Sequence, residues 1–409
     1  MTTERLLARR AIEALRAGIA TPSVASTLGT SQVEIEARVL TDLGKCAAGE
    51  AVAPLVIVGG FGSGKTHMLN HIAATAQDRG YVTSYVVASP ETPPGNLHVV
   101  LKALAETARA PGYTGQALRE LMAKYGAKSA GFGEVRRWAS ARSDIHERFV
   151  AMLQLYEEFS SDPEFQSKIL ADFEGKPMKK TEIRSKLKKI GQLQGYDLSH
   201  PKNKHLAPER LVILSQLYRA CDCKGWVVLF DEMERLVWFP RKQRLEAYWA
   251  IGWWAQLARQ GIGVYPIFAF TPGAVDDIWR KYQDHLHLDD TMGGLFAEQQ
   301  DFARVGLELL AKERVPLINP TADQLQRTLY SLHQLYCKAY DWQEGDSRHM
   351  PQEGGFISVR SQVRRWITEW DLKRLYGSAG EVVDEGIVMD TRELSEDEIV
   401  SDDDEASAE

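Results

Sequence analysis

Eight residues, Gly59-Gly60-Phe61-Gly62-Ser63-Gly64-Lys65-Thr66, have the types and spacing needed to hold a chain of phosphates. The pattern is Gly, four residues, then Gly-Lys-Thr. Glycines let such a loop curl until successive backbone N–H groups converge on phosphate oxygens, and a helix that follows adds its positive end. Lys65 would reach the β- and γ-phosphates, and the Thr66 hydroxyl would hold Mg²⁺. His67, the first residue beyond the pattern, is counted with the loop as a contact residue. A chance glycine-rich turn is the alternative reading. The flanks oppose it, because Leu55-Val56-Ile57-Val58 reads as a buried strand and His67 to about Arg79 as a helix.

A phosphate-bound metal needs an acidic residue nearby, and Trp226-Val227-Val228-Leu229-Phe230 ends in Asp231-Glu232. The continuous apolar run suits a central strand of a parallel sheet covered on both faces. Asp231 at its tip can bind Mg²⁺ directly or through water, and Glu232 can polarise an attacking water. Alone, an acidic pair after a strand is often a solvated turn. With the upstream loop it points to ATP as the bound nucleotide, and the Asp-Glu order favours hydrolysis to ADP and phosphate over binding alone. Val264 to Phe270 reads as another buried strand, with Thr271 at its end. Thr271 is a candidate to sense the γ-phosphate or the lytic water; it could equally cap the Pro272-Gly273 turn and the helix beyond. Pro266 inside this run is unexpected, since proline removes a ladder donor.

At 409 residues, with 44% hydrophobic and 26% charged residues, the chain can form two or three domains with a sizeable core. No apolar run approaches the ~18 residues of a membrane span, and the charged start is unlike a secretory leader. Four scattered cysteines do not make a disulfide framework, and Cys221-x-Cys223 lacks the second pair of a zinc site. A cytoplasmic protein is expected. The net charge of −7 is unevenly spread: residues 381–409 hold thirteen acidic residues and one basic, −12, which leaves +5 for the rest. That tail has almost nothing to bury and is expected to be disordered. It is either a solubilising tail or a segment that competes with DNA for the basic surface of the body.

The expected fold is α/β, an AAA+ type P-loop core with a parallel sheet, a large helical insertion and a C-terminal helical lid. Residues 1–50 form a helical preface. Within it, residues 24–35 have helix-turn-helix spacing, but they could instead pack beside the nucleotide pocket and cover the base. The ATPase core spans 51–280. Its insertion, about 112–208, carries Lys176, Lys179, Lys180, Arg184, Lys186, Lys188, Lys189, Lys202 and Lys204. This run is either a solvated helix face or a surface that tracks DNA phosphates. Residues 281–380 read as the lid, with Arg360 and Arg364 as candidates to reach the γ-phosphate and Arg304 as a weaker arginine-finger candidate.

Taken in order, several stretches resemble the BREX-system ATP-binding proteins of the BrxD type, P-loop ATPases encoded in bacterial phage-defence clusters. They are Arg9 to Gly18, the loop at Gly59 to Thr66, Gly175-Lys176-Pro177 with its basic helix, Leu206 to Met233, and Ala269 to Pro272. The resemblance implies an AAA+ core like that of origin-recognition ATPases, with DNA and other defence-system proteins as partners and an ATP-dependent homo-oligomer possible. It departs from the pattern around Leu295-Phe296-Ala297-Glu298, where the usual finger arginine is not obvious. Two functions remain open: an ATP-driven DNA-associated motor or loader, and a nucleotide-gated switch with slow, incidental turnover.

Overall fold

The computed structural model describes residues 3–198, 206–288, 297–342 and 358–377. Lys202, Lys204, Leu295, Phe296 and the acidic stretch 381–409 lie outside the described residues. The chain opens with α1 (Thr3–Arg16), α2 (Pro22–Leu28) and α3 (Val33–Ala48), followed by β1 (Leu55–Val58), α4 (Lys65–Asp78), β2 (Val82–Val87) and α5 (Leu97–Thr107). Five helices come next: α6 (Ala117–Tyr125), α7 (Ala130–Ser140), α8 (Glu147–Glu158), α9 (Pro163–Phe173) and α10 (Lys180–Lys189). Then come α11 (Ala207–Ala220), β3 (Trp226–Asp231), α12 (Arg241–Arg259), β4 (Val264–Phe270) and α13 (Pro272–Arg280). The last elements are α14 (Ala297–Lys312), β5 (Arg314–Pro316), α15 (Ala322–Tyr340) and α16 (Val359–Tyr376).

The five strands form one parallel sheet in the order β2-β3-β4-β1-β5. Alternate residues of the apolar runs divide between two cores. Val56, Val58, Val228, Phe230 and Phe268 face a large helical layer, whereas Leu55, Ile57, Leu229 and Ile267 face α3 and α4. Burial on both faces is why these strands read as continuous apolar stretches. On the larger face, Trp226 is fully buried and its Nε1 donates to Ser84 Oγ at 2.9 Å, so the indole gains burial without losing its hydrogen bond. Pro266 is accommodated at a central position because β4 meets β1 only from Ile267 onward. The Phe270 carbonyl accepts from Gly59 N, so by the two-residue alternation the missing Pro266 donor points toward the start of β1 and breaks little of the ladder.

The stretch expected as a single lid, 281–380, is divided by the structure. β5 pairs with β1 and extends the sheet, and α14 lies against α12. Gly252 and Gly306 allow that close approach: a Cβ on Gly252 would stand 1.8 Å from the Phe302 carbonyl oxygen. Only α15 and α16 form a separate cluster, and they do so with α1 through Ile12, Leu332, Tyr336 and Trp370. β5 is too short for its period to show in the sequence, and α14 has the same amphipathic pattern as a lid helix.

The insertion is helical as expected and shares the large core. Its centre holds a charge cluster the sequence did not suggest. Fully buried Asp172 pairs with Arg210 at 2.8 Å and with Arg148, and also accepts from Met178 N at 2.6 Å. Removing one member of such a network typically costs about 3–5 kcal/mol, because the remaining charge has no partner. The basic helix α10 packs by Ile183 and Leu187 and leaves Lys179, Arg184, Lys188 and Lys189 exposed. Lys186 differs. Its ammonium pairs with Asp162 at 2.8 Å and lies 4.0 Å from the centroid of the Phe165 ring, so it anchors the helix and is not part of an outer basic face. No helix among the described residues is long and apolar enough to cross a membrane.

Candidate functional site

All strand ends that matter here share the carboxyl edge of the sheet, where open α/β sheets bind their ligands. The loop after β1 runs directly into α4, with Gly64 as its N-cap in the left-handed region at φ 101°. A side chain there would be strained, so the glycine is required for the turn. The first N–H groups of α4 have no partner within the helix and point into the loop. Ser63 Oγ is buried without a hydrogen-bond partner. An orphan hydroxyl beside unsatisfied amides suits an anion that bears several oxygens.

β4 separates β1 from β3, yet the start of α4, after the β1 loop, meets the tip of β3. Thr66 Oγ1 donates to Asp231 Oδ2 at 2.7 Å, and Tyr85 OH, from β2, donates to the same oxygen. Asp231 is 3% exposed, and burial, reinforced by the Asp231 carboxylate, holds the Tyr85 phenol protonated far above its usual range. One hydroxyl and one carboxylate make a set of hard oxygen donors, the kind Mg²⁺ uses together with substrate phosphates and water. Glu232 follows in a left-handed conformation, φ 53°, which turns its side chain away from the strand direction. Its carboxylate pairs with Arg235.

Lys65 is 8% exposed. Its Nζ donates to the Gly59 and Gly60 carbonyls at 3.0 and 3.4 Å and pairs with Glu234 Oε1 at 3.4 Å. Burial pushes the Glu234 carboxyl above its usual range, while Lys65 pulls it down and Asp231 pushes it up. The Phe61 ring is 70% exposed beside the loop, its centroid 5.4 Å from Lys65 Nζ.

A cavity of about 510 Å³ extends from this cluster. The loop from Gly60 to His67, with Asp231 and Glu232, lines one side, and Gly18 to Ala20 and Leu28 to Val33 line another. Gln324, Arg327, Arg360 and Val363 from the α15–α16 pair close a third side. The preface is held there by specific bonds. His67 Nε2 donates to the Gly29 carbonyl at 2.7 Å, and burial lowers the ring's pKa and keeps it neutral. The Gln32 amide exchanges two hydrogen bonds with the backbone of Ile318, at 2.7 and 2.9 Å. Residues 24–35 do have the helix–turn–helix outline, but they pack against α4 and line the cavity.

Residues 4–129 match the family model described as BREX system ATP-binding protein BrxC/D. The match covers less than half of the chain and shows a likeness of that stretch to these proteins. The match takes in the loop at Gly59–Thr66 and the preface that walls the cavity, and it ends before β3. No curated protein and no solved structure matches the chain.

The structure gathers Gly60 to His67, Asp231, Glu232 and Arg360 around one cavity. Gly59 stands just behind the loop and gives its carbonyl to Lys65. Thr271 is buried at the end of β4 in the N-cap position of α13, but its side chain makes no capping bond and it is not among the lining residues. Arg364 and Arg304 are exposed on their helices and do not line the cavity either. The sequence reading missed Tyr85, Glu234, Arg235 and Arg327. Glu234 and Arg235 follow the acidic pair after Met233, and this cluster of charge just after a strand tip was the available signal.

Proposed function

We propose that the chain is an ATPase of AAA+ type that binds ATP with Mg²⁺ and hydrolyses it. The direct Thr66–Asp231 hydrogen bond carries this reading, since it joins the phosphate loop to an acidic strand tip across an intervening strand. Loop amides and Lys65 would hold the β- and γ-phosphates. Bound at Thr66 and Asp231, Mg²⁺ would offset phosphate charge. Glu232 would take a proton from water as its oxygen attacks the γ-phosphorus, and the bond to the ADP oxygen would break. Arg360, set near Gly18 and the loop, would supply a further cation from the α15–α16 side.

A nucleotide-gated switch is the second reading, favoured by one observation: Lys65 and Glu232 are each already ion-paired. Phosphate release under multiple turnover, with and without Mg²⁺ and duplex DNA, separates the two. Steady Mg²⁺-dependent release that rises with DNA is expected for the DNA-associated ATPase. Tight ATP binding with about one phosphate released per chain, unchanged by DNA, would instead establish the switch.

DNA association rests on the outer face of α10. Replacing Lys179, Arg184, Lys188 and Lys189 by Ala, with Lys186 left intact, is expected to weaken duplex binding and flatten its salt dependence. Every DNA phosphate that the variant no longer neutralises should lower the slope of log K against log salt by about 0.9. An unchanged slope would return α10 to a solvated helix face.

A further inference from the structure

Glu234 stands where a carboxylate is unfavourable for binding an anion. It is 7% exposed and lines the cavity beside the phosphate loop, and its Oε2 is buried without a hydrogen-bond partner. Asp231 and Glu232 already supply the acidic groups that the proposed chemistry uses. The one cation within reach of Glu234 is, among the described residues, Lys65 at 3.4 Å. Lys65 is therefore neutralised by a side chain on the spot where a triphosphate would neutralise it. We propose that Glu234 is the resting partner of Lys65, displaced by the phosphates of an incoming nucleoside triphosphate, so that this carboxylate sets how tightly the site holds nucleotide.

The inference rests on reading the loop as an ATP site. Without nucleotide, the pair spares Lys65 a buried and uncompensated charge. With nucleotide, Lys65 turns to phosphate and Glu234 is left close to a polyanion without its counter-ion. Each state thus has a cost that Glu234 moves from one to the other, and like-charge contact in a dry site is expensive. The carboxylate makes the empty site more stable and the filled site less so.

The test uses the full chain and the variants Glu234→Gln and Glu234→Ala, with affinity for Mg²⁺–ATP and thermal stability measured with and without saturating Mg²⁺–ATP. Both variants are expected to bind ATP on the order of tenfold more tightly. Their melting temperature should fall without nucleotide and return toward wild type when it is bound. A Glu234 that only supports the fold would lower melting equally in both conditions and leave affinity unchanged, and that result overturns the proposal. Weaker ATP binding overturns it too, since it would mean that Glu234 orients Lys65 for phosphate. If wild type shows no ATP-dependent shift and matches Lys65→Ala, the ATP-site reading itself fails and the inference goes with it.

Discussion

Replacing Glu232 by Gln should leave ATP binding intact and slow its hydrolysis by about 10²- to 10⁴-fold, the usual contribution of a general base. The amide keeps the side chain's shape at the tip of β3 but cannot take a proton. It also ends the pairing with Arg235, which lines the same cavity. A released Arg235 adds positive charge near the phosphates, so ATP affinity should rise slightly and not fall. Stability should change little, because the pair is partly exposed and such pairs contribute about 0–1 kcal/mol. Single-turnover phosphate release, with affinity measured in parallel, checks all of this. If Glu232→Gln and Asp231→Asn both hydrolyse at the wild-type rate, the tip of β3 has been given the wrong role.

How far such a site can be read from sequence depended on the range of its interactions. The loop and β1 were legible because their signals are local: glycine spacing, a four-residue apolar run and a helix directly after it. β3 and β4 were legible because burial on both faces writes an uninterrupted apolar run into each of them. What joins these pieces is non-local. Tyr85 looks like any strand residue until β2 pairs with β3 and brings its hydroxyl to Asp231. Lys186 looked like one of several lysines on a solvated or phosphate-tracking face, and only the fold puts Asp162 and Phe165 beside it. The limits of the α15–α16 unit were misplaced for a related reason. A helix's apolar stripe says that it packs, not what it packs against, and α14 found α12. The preface was the converse case, since lining one side of the cavity required only a helical segment ahead of the loop.

Lys65→Ala is the variant in which the sequence and the structure part company most sharply. Both expect it to lose ATP binding or turnover, since Lys65 is the cation closest to the phosphate loop. From the sequence, a side chain that faces phosphate and not the core should be removable at little cost in stability. In the structure the ammonium is buried with Glu234, so alanine leaves a carboxylate without its partner, at a cost of about 3 kcal/mol. The cost should depend on pH with a definite sign. Burial already holds the folded Glu234 carboxyl above its usual range, and Lys65 is the main influence pulling it back. Without Lys65 the folded pKa rises further, so the folded state holds its proton more tightly than the unfolded chain does. The variant's deficit against wild type should therefore grow as pH rises from the wild-type folded value, itself raised, toward the still higher folded value of the variant, and shrink again on acidification. Urea unfolding of wild type, Lys65→Ala and the double variant Lys65→Ala/Glu234→Gln at about pH 7 and about pH 5 measures it. The double variant should recover most of the lost stability at neutral pH while still failing to turn over ATP. A Lys65→Ala protein as stable as wild type at both pH values would show that Glu234 and Lys65 are not coupled in solution.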